Sequence, residues 1–229
     1  MAQSSILSAR LETVAGFVQK GSSVIDVGTD HGLLPVYLAM NGFASRIIAS
    51  DISIGSLGSA RRTAAKYGVV DKISFVEAKG LSGVREQEIN TIVIAGLGGE
   101  TISGILRDAP WTRQNEKRLI LQPQTKVPEL CDYLRLTGYS LHEARLALDT
   151  GKIYVVMLVK GGKSSSELAP ELELLVMLMN KKDPLIGRFL DELIEKARRK
   201  LDGIGGSGSP EALELALRLS EYIKMREIV

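Results

Sequence analysis

The 229-residue chain holds a single cysteine, and several such absences narrow the reading before any motif does. Cys131 has no second thiol to pair with, so an internal disulfide is excluded. No cysteine or histidine cluster stands near it to hold a metal, so no metal site is expected. A reducing compartment fits, with Cys131 in the core. No apolar run approaches the ~20 residues that span a bilayer, and the stretches Leu174–Met179 and Tyr154–Val159 fall far short. The opening MAQSSILSAR has neither the apolar run of roughly 7 to 15 residues nor the cleavage signature of a secretory signal, so a cytoplasmic protein is expected. An excess of one charge is missing too. With 29 basic and 27 acidic residues the net charge is +2, so any polyanion must be met by a local patch. The apolar share of 45% and the charged share of 24% exclude a disordered or fibrous chain.

What is present alternates. Short β-branched runs at Val24–Val27, Arg46–Ser50, Ile73–Glu77, Thr91–Ala95 and Arg118–Gln122 are separated by helical patterns, the signature of βαβ units in a parallel sheet. Near-continuous apolar runs such as TIVIAG mark strands buried on both faces. Ser8 reads as the cap of a helix carrying Leu11, Val14, Ala15 and Val18, and Ser56–Tyr67 reads as a helix ending at Gly68. Another starts with Pro128 and stops at Gly138. Then YSLHEARLAL and IYVVMLV flank a turn at Asp149–Lys152, so a hairpin closes the sheet in place of a sixth βα unit. By fold-level analogy, that layout resembles the one of class I methyltransferases. A GGKSSS linker leads to a helical part. Leu185, Phe189, Leu193, Ala197 and Leu201 form one stripe, and Leu213, Ala216, Leu217 and Ile223 another across the glycine-rich turn GIGGSGSP. The expectation is a Rossmann-like α/β domain over 1–162 and a small coiled-coil-like helical domain over 163–229, with the hairpin Pro184–Asp202 against Pro210–Ile228.

The stretch IDVGTDHG, Ile25 to Gly32, follows the first strand but lacks the second glycine of the dinucleotide fingerprint GxGxxG. Charge says more than spacing. A carboxylate at Asp30 repels a pyrophosphate, whereas the sulfonium and ammonium of S-adenosylmethionine are cations that Asp26 and Asp30 attract. A helix cap at Asp30 is the structural alternative. Asp51, past the second strand, stands where a carboxylate accepts ribose hydroxyls, in either an NAD or an S-adenosylmethionine site. The stretches EAKGL (Glu77–Leu81) and AGLGG (Ala95–Gly99) occupy strand ends where ligands approach. An Asn/Asp-Pro-Pro segment for holding an exocyclic amine is absent, which is compatible with attack by a ring nitrogen whose lone pair needs alignment more than a base. Gln122 and Gln124, around Pro123, are candidates for reading a base edge or for an ordinary strand-ending turn. His142 reads as structural.

LSARLETVAGFV (Leu7–Val18), IDVGTDHGLLPVYL (Ile25–Leu38), IASDI (Ile48–Ile52), TIVIAGLGGETI (Thr91–Ile102), LILQPQ (Leu119–Gln124) and GKIY (Gly151–Tyr154) together resemble the bacterial tRNA (adenine-22-N1)-methyltransferase family. The resemblance implies a methyltransferase using S-adenosylmethionine on N1 of adenine 22 in tRNA, expected as a monomer. Cofactor contacts are then expected at Asp26, Gly28, Thr29, Gly32, Asp51, Ile52, Ala78, Lys79, Ala95 and Gly96. Substrate contacts are expected at Arg10, Gly98, Gln122 and Pro123, and catalytic roles at Asp30 and His31. The chain departs from the family pattern at Ala78-Lys79-Gly80-Leu81, where Gly-Asp-Gly-Leu is usual, and at Gln124, where asparagine is usual. Lys196, Arg198, Arg199 and Lys200 offer phosphate contacts or a solvated helix face. Methylation of another RNA position or a small molecule, a chemically inactive nucleic-acid binder, and an NAD oxidoreductase are the alternatives.

Overall fold

β-branched and leucine-rich runs with no polar interruption can satisfy their backbone only by pairing on both sides, and they form the middle of the sheet. The computed structural model describes residues 6–114, 116–204 and 208–229. The strands are β1 (Ser22–Val27), β2 (Ala44–Asp51), β3 (Ser74–Glu77), β4 (Thr91–Leu97), β5 (Arg118–Pro123), β6 (Tyr139–Asp149) and β7 (Lys152–Gly161), in the order β3-β2-β1-β4-β5-β7-β6. β1 to β5 are parallel, and β7 runs antiparallel to both β5 and β6, so the hairpin closes the sheet as the alternation predicts. The order reverses at β1 and β4, which leaves a crevice at their carboxyl ends.

The helices between strands are α1 (Ala9–Ala15), α2 (Leu33–Met40), α3 (Ile54–Lys66), α4 (Gly99–Asp108) and α5 (Val127–Leu136). Ser8 takes the N-cap position of α1 without a side-chain bond. α3 begins two residues before Ser56, because the Ser53 hydroxyl accepts from the Ser56 amide and closes the first turn. A core formed by Val14, Phe17, Val24, Leu38, Ile47, Val93, Ile120 and Val156 joins α1 and α2 to one face of the sheet. Cys131 of α5 is buried as a small apolar residue, its thiol pushed up to about 12 by loss of solvation.

Two compact units divide the chain, Met1–Leu174 and Leu175–Val229, and the division falls inside α6 (Pro170–Asn180) rather than in the GGKSSS segment. Side chains bind that segment to the first unit. Arg135 of α5 donates to the Leu168 carbonyl and to the Glu173 carboxylate, and the Ser164 hydroxyl donates to Glu173 at 3.0 Å.

The second unit pairs α7 (Ile186–Ile204) with α8 (Pro210–Ile228). Ion pairs Asp191–Arg226 and Lys200–Glu211, each 2.8 Å, join opposite ends of the two helices and make them antiparallel. The glycine-rich turn between them lies in part outside the described residues, at 205–207, as does the chain start at 1–5. On α8 the expected stripe is corrected: Leu213 and Leu217 are exposed, and Ala212, Tyr222 and Met225 are buried. The expected stripe meets Ser220 and Lys224 one and two turns on, whereas the stripe through Ala212, Leu215, Leu219, Tyr222 and Met225 stays apolar.

Candidate functional site

β1 delivers Asp26 and Val27 into the crevice while paired to β2 and β4, so the turn that follows starts from a rigid base. Three left-handed residues alternate through it, Gly28 at φ 75°, Asp30 at 52° and Gly32 at 69°. The amides of Gly28 and Thr29 donate to the Ser50 carbonyl at 2.8 and 3.0 Å. Asp26 is buried, and its one side-chain partner among the described residues is the Thr29 hydroxyl, which donates to Oδ2 at 2.7 Å. Burial raises the Asp26 carboxyl from 3.8 to about 6, with the Thr29 bond opposing and the Asp51 charge adding to the rise. Asp51, at the end of β2, accepts the Asp30 amide at 3.1 Å on Oδ2 and the Ser53 amide at 2.9 Å on Oδ1. One carboxylate thus ties the β1 turn to the β2 turn.

The side chains of Asp30 and His31 are 71% and 67% exposed, with 3.7 Å between Oδ2 and Nε2. Asp30 does not cap α2. The N-cap is Gly32, and no side chain bonds there.

Gly32, expected at the cofactor, packs on a helix. It is buried against α3, where a Cβ would stand 2.7 Å from Ala60 Cβ, and it is absent from the cavity wall. Its role is the close approach of α2 to α3.

The other strand ends complete the crevice. The Ala78 amide donates to the Asp51 carbonyl at 3.0 Å. Lys79 is exposed, and Gly80 turns at φ 61° with its Cα side packed on Ile105 of α4. After β4, Gly96 turns at φ 80°. Gly99 donates to the Thr125 carbonyl at 2.9 Å and has no room for a Cβ, which would meet the Lys126 carbonyl at 2.4 Å. Gly98, expected on the substrate, is the N-cap of α4 beside Thr125, off the cavity wall. Pro123 is likewise off the wall, buried in register with Leu97.

Gln122 is the most consequential correction. It is fully buried, at 0% exposure, and cannot touch a base. Its Oε1 accepts from Arg10 at 2.5 Å and from the Gly96 amide at 3.0 Å, and its Nε2 donates to the Pro123 carbonyl at 2.9 Å. Asp149 at 3.9 Å and the Tyr154 ring at 5.7 Å steady the same guanidinium. Gln122 therefore positions Arg10 and the Gly96 turn, which do reach the cavity. Gln122→Leu leaves a buried amide and a guanidinium without their acceptor, and is expected to cost about 1–3 kcal/mol, read as a lower urea midpoint. Gln122→Glu keeps the acceptor and should cost less.

These ends enclose a cavity of about 1040 Å³. Its wall holds Arg10, Asp26, Gly28, Thr29, Asp30, His31, Asp51, Ile52, Ala78, Lys79, Ala95 and Gly96 of the expected residues. It also holds Leu11, Leu97, Thr101, Ile105, Asp108 and Gln124. Thr101, Ile105 and Asp108 were legible as one helical face, spaced four and three apart on α4. Three carboxylates crowd one end of the cavity, which favours a cationic ligand group and disfavours a pyrophosphate.

A family model described as a methyltransferase domain matches residues 7–157. The tRNA (adenine(22)-N(1))-methyltransferase of Bacillus subtilis (strain 168) is 35% identical over 156 residues, 68% of this chain and 66% of that protein. The crystal structure of the B. subtilis m1A22 tRNA methyltransferase TrmK superposes with a TM-score of 0.83 at 28% identity, covering 96% of this chain and 98% of that one. M. capricolum TrmK, in complex with S-adenosylhomocysteine, gives a TM-score of 0.80 at 25% identity over 98% and 99% of the two chains.

Proposed function

Because the chain belongs to the methyltransferase-domain family, within its TrmK group, we propose that it methylates N1 of adenine 22 in tRNA from S-adenosylmethionine. The observation that carries the cofactor reading is Asp26, a buried carboxylate with one hydroxyl partner at the wall of a large cavity. Such a group gains most from a cation. When bound, S-adenosylmethionine supplies an electrophilic methyl on a sulfonium. On this reading Asp26 and the turn Gly28–Thr29 take the amino-acid end, Asp51 the ribose, and Ile52 with Ala78, Lys79, Ala95 and Gly96 the adenine side. Every wall residue lies within the first unit of one chain, which supports a site complete in a single copy, and the proposed working form is a monomer in the cytoplasm.

The acceptor nitrogen carries its lone pair in the ring plane, so no proton has to leave before it reacts. Alignment and exclusion of water matter instead. Methylation there leaves positive charge on the base, and a carboxylate beside it attracts that charge as it develops. Asp30, exposed and held in place by the hydrogen bond its backbone amide donates to the Asp51 carboxylate, is suited to this role, with His31 next to it. Arg10, fixed by Gln122, and Gln124 meet the substrate from the opposite wall. N1 lies on the Watson–Crick edge, so the base is taken unpaired.

Incubation with labelled S-adenosylmethionine and unmodified tRNA, followed by mapping, is expected to place the label on N1 of adenine 22 and to lose it when that position is guanine. Label elsewhere in RNA, or on a small molecule, would move the acceptor. Tight cofactor binding without transfer to any RNA would leave an inactive binder.

A further inference from the structure

Resting on the cofactor reading above, we propose that Asp108, the last residue of α4, accepts a hydrogen bond from the exocyclic amine of the cofactor's adenine. It would thereby set the preference for an adenine over an inosine-type base. The cavity has two chemically different ends. Around the first turn stand Asp26, Asp30 and Asp51. Beyond Asp51 the wall passes to Ile52, an apolar side chain left 67% exposed, and on to residues 78–82. A base seated on Ile52 turns its polar edge away from the ribose, and an amine on that edge has two hydrogens to donate. Lys79 and Arg107, both on this stretch of wall, are donors only. Among the described wall residues at this end, Asp108 is the one carboxylate.

Its position follows from packing. A Cβ on Gly80 would stand 3.1 Å from Ile105 Cγ1, so the loop after β3 lies directly on α4. Asp108 is three residues beyond Ile105, one turn further along the same side. The placement is unfavourable for the helix itself, because an acid in the last turn opposes the helix dipole, which Arg107 suits. Its ion pair with Arg107 at 3.7 Å is between two exposed neighbours and contributes little. A locally disfavoured acid facing a ligand cavity is where a binding role is expected.

The test is calorimetric titration of the unaltered protein, Asp108→Ala and Asp108→Asn with S-adenosylhomocysteine and with S-inosylhomocysteine, in which a carbonyl replaces the amine. The unaltered protein should prefer the adenine ligand. Asp108→Ala should weaken S-adenosylhomocysteine roughly 10- to 100-fold and leave S-inosylhomocysteine within about twofold, the range for a charge-assisted bond. Asp108→Asn, whose carbonyl still accepts, should recover part of the loss. Equal weakening of both ligands, no weakening, or no preference in the unaltered protein would overturn the inference alone. Failure of the unaltered protein to bind either ligand would overturn the cofactor reading and the inference with it. Unchanged melting temperatures guard against misfolding as the cause.

Discussion

Asp26→Asn is expected to move stability and affinity in opposite directions. Folding raises this carboxyl from 3.8 to about 6, so between those pH values the folded state holds a proton that the unfolded chain has released. The penalty for a buried charge is absent below pH 3.8, grows through the window, and is complete above about 6. Two pH units correspond to about 3 kcal/mol. Denaturant unfolding of the ligand-free protein at pH 8 should therefore show the asparagine variant more stable by up to about 3 kcal/mol, with the difference fading by about pH 4. Asparagine can still accept from Thr29, which isolates charge from hydrogen bonding. Over the same comparison, affinity for S-adenosylmethionine should fall roughly 10- to 100-fold at pH 8, the loss of a charge-assisted bond. In the unaltered protein that affinity should fall as pH drops through 6, with proton release on binding in calorimetry there. A variant that is no more stable at pH 8, or that binds unchanged, would remove Asp26 from the role assigned to it.

The largest loss of stability is expected at Gly161→Ala. This glycine ends β7, where the backbone of Arg113 crosses so closely that a Cβ would lie 1.7 Å from the Arg113 carbonyl oxygen. Neither side can yield cheaply, since both are main chain. The Arg113 turn is held by Thr112, whose hydroxyl shares a 2.7 Å bond with buried Tyr139, and Tyr139 is the strand partner of Gly161. A cost of about 4 kcal/mol or more is expected, which lowers the melting temperature of a unit this size by roughly 10 °C. Gly203→Ala, with nothing within 4 Å of its Cβ and a place in α7, is the control and should be neutral to slightly stabilising.

These two residues mark what a sequence conveys. Asp26 was readable because its chemistry is local: an acid one residue from a strand end, in a turn without the glycines of a phosphate loop. The five parallel strands and the closing hairpin were readable because apolar runs and turn residues report burial on two faces, whereas their order in the sheet was not. Gly161 was not, since its neighbour lies 48 positions away, from 113 to 161, and no periodicity announces a crossing. Gln122 shows the same limit. A glutamine at a strand's carboxyl end suits a ligand contact, and only depth reveals that it faces Arg10 and Gly96 instead. Gly32 sits in the motif that points to the ligand, yet it serves the contact between two helices. On α8 two stripes compete, and the one that continues along the whole helix wins.

The fastening of residues 163–169 decides where this protein can be cut. Composition marks GGKSSS as expendable, and a catalytic fragment ending after β7 is the natural first choice. Such a fragment would strip Arg135 of Leu168 and Glu173 and open to water the face of α5 that this segment covers. The first compact unit runs past the apparent tether, to Leu174, so a cut placed at Leu174 keeps these bonds whole.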